Sequence, residues 1–274
     1  LLFLEHIIVI IPIKGNIANM KILTVNINSI RAHAESFIKI LESNEYDTIL
    51  VQELKVETAG FPHNIFEEYG YNIKVFGQKS WNGVATFSKF SIEDTIRGIP
   101  GYTDINARFL ETVIDGRIRV INVYMPNGES GTSPKFEYKI DWMRAFGKYI
   151  QQYLSSPEAV IIGGDFNVAI ADRDIWKPEN YVGSSISAPA AREILQSWFD
   201  DGWTDVWRKM HPDEIGYTWY GYRQRSFENK HGLRLDYFMA NKTAAKMITK
   251  CEIDCAPRSS EKPTDHCGLM IKID

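Results

Sequence analysis

Residues 160–167, Val160-Ile161-Ile162-Gly163-Gly164-Asp165-Phe166-Asn167, constrain this chain more than any other stretch. Branched apolar residues in succession read as a buried strand. Two glycines follow and let the backbone turn before Asp165 and Asn167 emerge. If that end stays extended, positions i and i+2 point the same way, so Asp165 and Asn167 face one bound group together. One is an acid or base, the other a neutral hydrogen-bonding amide. The ordinary alternative is a strand leaving the core through a polar turn, where Gly, Asp and Asn are common.

The surroundings must be able to hold such a strand. With 274 residues the chain is long enough for one large domain or two small ones. Its 44% hydrophobic and 24% charged residues match a soluble globular protein. A net charge of -4 excludes an overall positive field, so binding to a polyanion has to rest on a local patch or on metal ions. Cys251, Cys255 and Cys267 lack the paired spacings of a zinc site or a disulfide framework, and are expected as reduced thiols in a cytoplasmic protein. Leu1 to Ile13 is apolar, but Glu5, His6 and Pro12 interrupt it, and it is shorter than the roughly 20 residues of a membrane helix. It also lacks the basic leading region and small-residue cleavage site of a secretory signal. Residues 1–19 are therefore expected to be an extension outside the fold, with Met20 as the natural start and 20–274 as one domain.

From Met20 onward, strand and helix patterns alternate. Lys21 to Ile27 and Asp47 to Glu53 read as strands, as do 71–77, 83–88, 108–114 and 117–124. The last two flank Asp115-Gly116, a strong hairpin signal because both turn positions need positive φ. Helices are expected over 32–43, 135–154 and 189–200, the second with Phe136, Ile140, Met143, Phe146 and Ile150 at helical spacing. Strands return at 235–239 and 269–273. Hairpins mixed with helices imply a mixed sheet in an α/β fold.

Polar residues gather at these strand ends: Asn26 and Asn28 after the first, Glu53 after the second, Tyr124 after the hairpin, then Asp165 and Asn167, Asp236, and Asp265-His266. Singly each has a structural explanation. The asparagines could shape a turn, Glu53 could be a solvated charge beside Lys55, Tyr124 a half-buried aromatic, and Asp236 the ion-pair partner of Arg234. Jointly they supply carboxylates for a metal and an imidazole for proton transfer.

In order along the chain, these blocks resemble the exonuclease III group of the endonuclease/exonuclease/phosphatase superfamily, which includes the apurinic/apyrimidinic endonucleases. The matching blocks are Asn26-Ile27-Asn28, Gln52-Glu53-Leu54-Lys55, Asn122-Val123-Tyr124-Met125-Pro126-Asn127-Gly128, Gly164-Asp165-Phe166-Asn167, Arg234-Leu235-Asp236-Tyr237 and Asp265-His266. The resemblance implies a four-layered α/β sandwich of two packed mixed sheets flanked by helices. It implies a monomeric Mg²⁺-dependent enzyme, with Mn²⁺ as a possible substitute. Its substrate would be double-stranded DNA bearing abasic sites or recessed or blocked 3′ ends, with no membrane partner.

By the same resemblance Glu53 is the principal metal ligand, Asn26 supports it, and Asp265 approaches the metal directly or through water. Asp165, Asn167 and His266 complete the metal's surroundings. Asp165 would deprotonate water, Asn167 would hold a phosphate oxygen, His266 would donate to the phosphate with Asp236 orienting it, and Tyr124 would contact phosphate or assist the leaving oxygen. Asn28, Arg108, Asn127 and Trp219 would bind substrate, Trp219 in the pocket for the abasic sugar. The segment Tyr217–Asp236 adds Arg223, Arg225, Lys230, His231 and Arg234 among aromatics, a composition suited to phosphate contact and base stacking. Ser29, Asn127 and Gly268 depart from the usual family residues; Ser29 stands where glycine is common, which matters if positive φ is needed there. A phosphatase or phosphodiesterase of the same fold acting on another substrate, and a non-catalytic nucleic-acid-binding protein, are the alternatives.

Overall fold

The computed structural model describes residues 19–259 and 261–274. The expectation for residues 1–19 therefore lies almost wholly outside the described residues. Along the chain run β1 (Met20–Asn26), α1 (Ala34–Glu42), β2 (Thr48–Gln52), α2 (His63–Phe66), β3 (Asn72–Phe76), β4 (Val84–Ser88), β5 (Ile92–Arg97), β6 (Phe109–Ile114) and β7 (Ile118–Tyr124). They are followed by α3 (Pro134–Ile150), β8 (Ala159–Asp165), α4 (Pro189–Asp201), β9 (Thr204–Asp205), α5 (Val206–Met210), β10 (Trp219–Tyr220), β11 (Gly232–Leu233), β12 (Asp236–Ala240), β13 (Ile248–Asp254) and β14 (Gly268–Ile273).

Two six-stranded mixed sheets form, ordered β13-β14-β1-β2-β4-β3 and β5-β6-β7-β8-β12-β9. Side-chain alternation explains why they stack. Ile22 and Leu50 point between the sheets and pack with Ile118, Val120, Ile161 and Phe238. Their neighbours Leu23, Val25, Ile49 and Val51 point outward under Phe37, Ile40 and Leu41 of α1. On the far side, Val160 and Ile162 of β8 meet Met143 and Phe146 of α3 and Leu195 and Trp198 of α4. Three apolar interfaces thus separate four layers, as expected. The β6–β7 hairpin turns at Asp115 and Gly116 with φ of +52° and +62°. None of the described helices is long and apolar enough to cross a membrane.

Three expectations are corrected. The glycines of the 160–167 stretch do not form the turn, because β8 runs through both to Asp165. A Cβ on Gly163 would stand 2.5 Å from the Phe238 ring and 2.8 Å from Leu50, and one on Gly164 would stand 1.9 Å from the Val123 carbonyl. Close approach of strand to strand and sheet to sheet is what requires glycine there. Asn167 is not reached by extension either; the chain turns after Asp165, and Asn167 adopts φ +50°. Finally, Cys255 and Cys267 are disulfide-bonded, leaving Cys251 buried and free. Antiparallel pairing of Asp254 with Gly268 carries the flanking cysteines face to face, with Cα atoms 4.4 Å apart, a proximity set by register and hidden in their 12-residue separation.

Candidate active site at the strand ends

Register delivers the site. β8 pairs with β7 in parallel and with β12 antiparallel, which sets Tyr124 and Asp236 on either side of Asp165. In the other sheet, β1 and β2 run parallel with Asn26 opposite Gln52, so Glu53 follows at the same edge. β14 lies antiparallel to β1, and its approach brings Asp265 and His266 to that edge too.

Asn26 is fully buried and joins the two sheets. Its Nδ2 donates to Glu53 Oε1 at 2.7 Å and to Asp165 Oδ2 at 3.0 Å, while its Oδ1 accepts the Asn28 backbone N–H. One amide thereby fixes the spacing of two carboxylates. His266 and Asp236 form a second unit: Nδ1 lies 2.9 Å from Asp236 Oδ2 and Nε2 lies 3.8 Å from Asp165 Oδ2. Burial alone would lower the His266 pKa, but the charge and hydrogen bond of Asp236, with Asp165 and Asp265 behind them, raise it to about 10. The carboxylates around His266 therefore favour its imidazolium form. Burial pushes the Asp165 carboxyl up to about 7; the His266 charge opposes the rise and the Asp236 charge adds to it. Tyr124 is held well above the ordinary phenol value, first by burial and then by the charges of Glu53 and Asp165.

Asn28 donates to Asp265 Oδ1 at 3.0 Å, and Trp219 Nε1 donates to Asp265 Oδ2 at 3.0 Å. Trp219 also packs against buried Ile175, Leu233 and Leu235, which form an apolar wall beside the polar row. Asn127 donates to Asn167 Oδ1 at 3.0 Å, and Asn167 Nδ2 donates to the Met125 carbonyl at 2.9 Å. Its contact with Asp165 Oδ2 is longer, 3.4 Å, so one N–H remains weakly committed. Arg108 lies over the Tyr124 ring, 4.8 Å from its centroid, and lines a cleft of about 490 Å³ with Tyr124, Asn127, Trp81 and Lys135.

Backbone conformation concentrates here as well. Asn28, Ser29, Glu53, Lys55 and Asn167 all have positive φ, Ser29 at +99°. Serine therefore adopts the turn that glycine would take more cheaply, and the strain sits beside the two carboxylates that Asn26 joins.

All the strand-end residues singled out in the sequence thus meet at one edge. Part of the Tyr217–Asp236 segment does not. Arg234 is buried in ion pairs with Asp174 and Asp205, not in contact with solvent, and it is these acids, not Asp236, that it pairs with. Tyr220 is buried against Phe227, and His231 is stacked on Trp176. Arg223, Arg225 and Lys230 are exposed. The sequence assigned no role to two lysines. Lys55 bridges Glu53, 3.0 Å away, and Asn28. Lys139 is wholly buried in α3, where burial lowers its pKa to about 7 against the pull of Asp165. Its signal was its spacing: it lies three residues after Phe136 and four before Met143, on the apolar face of the helix.

The carboxylates of Glu53 and Asp265 are tied to one another through Lys55 and Asn28, and among the described residues no three His, Cys, Asp or Glu side chains form a metal cage. That donor set fits a hard cation such as Mg²⁺, which uses one or two carboxylates and keeps several waters for substrate to displace.

A fold of two stacked sheets with this polar row at one edge defines a class, and the comparisons agree. Residues 23–266 match the Endonuclease/Exonuclease/phosphatase family, and the chain belongs to it. Exodeoxyribonuclease III of Haemophilus influenzae is 31% identical over 265 residues, spanning 92% of this chain and 99% of that protein. An AP endonuclease from Archaeoglobus fulgidus has 34% identity and a TM-score of 0.89, covering 93% of this chain and 99% of that one. A 3′ phosphatase from Neisseria, solved with a product DNA hairpin, has 33% identity and the same TM-score and coverages.

Proposed function

We propose that this chain is a DNA-repair nuclease that hydrolyses phosphodiester bonds in double-stranded DNA at abasic sites and at recessed or blocked 3′ ends, using Mg²⁺ or Mn²⁺. The observation that carries the reading is the Asn26 amide, which couples a metal-type carboxylate, Glu53, to a base-type carboxylate, Asp165, across two sheets. Its relatives are exodeoxyribonucleases and AP endonucleases that it matches over nearly their whole length.

Glu53, with Asp265, would hold the cation, which when bound supplies positive charge to the phosphoryl oxygens. Asp165, raised to about 7, has the basicity to take a proton from water near neutral pH. His266 Nε2 is too far from Asp165 for a direct hydrogen bond, so its proton is available to a phosphate oxygen; Asp236 fixes the ring. Asn167 offers its weakly committed N–H to the same phosphate. Tyr124 remains a phenol, which suits it to donate toward the leaving oxygen and not to act as a base. Asn28, Arg108, Asn127 and Trp219 line the approach.

A duplex carrying a tetrahydrofuran abasic analogue, incubated with Mg²⁺ or with chelator, tests the reading. Incision is expected only with the metal, and Asp165→Asn should lower kcat by at least about 10²-fold. Absence of metal-dependent incision by the wild-type chain would overturn the proposal.

A further inference from the structure

Lys139 occupies an unusual position. It is 0% exposed, and its Nζ donates to three backbone carbonyls: Asn167 at 2.7 Å, Asn127 at 3.1 Å and Ser185 at 3.2 Å. Three acceptors use all three N–H bonds that only the ammonium form carries. Among the described residues it makes no ion pair, so burial of its charge is offset mainly by carbonyl dipoles and by the field of Asp165.

The three carbonyls belong to three separate loops. One follows β7 and carries Asn127, one follows β8 and carries Asn167, and the third precedes α4 and carries Ser185. The loops are also cross-bonded: Ser185 Oγ donates to the Asn127 carbonyl at 2.6 Å, and the Asn127 side chain donates to Asn167 at 3.0 Å. A Cβ on Gly128 would stand 2.9 Å from the Lys139 side chain and 3.0 Å from Ser185, so the junction has no spare room. A buried ammonium is costly, and a neutral side chain of similar volume would pack here without that cost. What a neutral side chain lacks is the ability to draw three carbonyl oxygens toward one point.

We infer that Lys139 is a positioning residue: its ammonium clamps the three loops together and so sets where the Asn127–Asn167 amide pair stands relative to Asp165. It does not touch substrate. This rests on the hydrolytic reading of the site given above. Displacing a substrate-holding group by about 1 Å costs on the order of 10²-fold in rate even when binding survives.

The test compares wild type with Lys139→Met, which keeps the volume and removes the charge, and with Lys139→Ala, which opens space for a small cation. On the abasic-analogue duplex with Mg²⁺, Lys139→Met should lose about 10- to 100-fold in kcat while KM stays within about threefold. Lys139→Ala should lose a similar amount and regain part of it, with saturation, as n-propylammonium chloride is added; tetramethylammonium chloride at equal ionic strength should restore nothing. A helix-packing role would not produce that distinction. Amide exchange in the segments 125–129 and 183–187 should quicken in Lys139→Met, a readout that needs no turnover. Wild-type kcat in Lys139→Met, a loss carried by KM, or indifference of folded Lys139→Ala to the amine would each overturn the inference. Should both lysine variants fail to fold, Ser185→Ala, which removes the hydroxyl contacts to the Asn127 and Glu129 carbonyls of the loop after β7, is expected to lower kcat about threefold or more at constant KM, and an unchanged kcat would overturn the inference. An inactive wild type would instead defeat the nuclease reading, and the exchange data would still decide for or against the clamp.

Discussion

His266 depends on Asp236 for its charge. The ring is 3% exposed and Asp236 is fully buried, so removal of one member leaves the other without its partner. Burial works against the imidazolium, and the Asp236 charge and hydrogen bond outweigh it, raising the pKa from 6.5 to about 10. The folded state therefore binds more protons than the unfolded chain across that window, and stability falls as pH rises through it. The contribution is complete below 6.5 and gone above about 10. Asp236→Asn should flatten this dependence, narrowing the loss between these limits by on the order of 1–3 kcal/mol. Urea denaturation at a series of pH values, without added metal, measures it as the difference between the two proteins, in which lysine and tyrosine titrations common to both cancel. Parallel pH profiles would mean that Asp236 does not hold the charge.

At the scale of elements, β8 shows how strand packing and chemistry constrain each other. Its Val160-Ile161-Ile162 run supplies side chains to both of its faces, and its glycines then let the strand pass close to β7 and the opposite sheet so that Asp165 reaches the edge. Gly163→Val would push methyl groups into Phe238 and Leu50, and overpacking of this kind typically costs about 1–3 kcal/mol. The urea midpoint should fall with an unchanged m-value; a midpoint within error of wild type would show that the sheets have slack at this point. β1, β2, β6, β7, β8 and α3 were legible in the sequence because their burial leaves a continuous or periodic apolar pattern. β5 and β13 were not, since each is an edge strand with mostly exposed or half-exposed residues and little periodic contrast. The glycine pair was located correctly and misinterpreted, because close approach by a neighbouring strand leaves no mark on the local sequence.

The whole molecule decides what single positions cannot. The strand-end polar residues were legible in the sequence because each lies at or just beyond a strand pattern, while Arg108, Asn127 and Trp219 were named only through the resemblance. Partners come from far away: Asn28 bonds Asp265 across 237 residues, and Arg234 finds Asp174 across 60. Burial of Arg234 follows from such a distant partner, which is why it was expected to meet DNA, whereas Lys139 was overlooked although its spacing along α3 marks the apolar face. With Arg234 removed from the binding surface, a molecule of net charge -4 has to attract a polyanion through other local cations. Exposed Arg223, Arg225 and Lys230 lie on the loop between Trp219 and His231, the same segment that supplies the apolar wall. If they neutralise phosphates, each releases counterions and contributes about one unit to the slope of log K against log salt. The triple variant Arg223→Ala, Arg225→Ala, Lys230→Ala should then bind an abasic-analogue duplex more weakly at low salt and show a slope shallower by about 2–3 units. Anisotropy titrations in chelator, where the duplex stays intact, provide the measurement. Above a few hundred millimolar salt the two proteins should converge, because the attraction of these three cations for phosphate is electrostatic and is screened there. An unchanged slope would place the phosphate contacts elsewhere, with Arg108 and Lys135 in the cleft beside Tyr124, and Lys55 beside Glu53, as further cations near the strand ends.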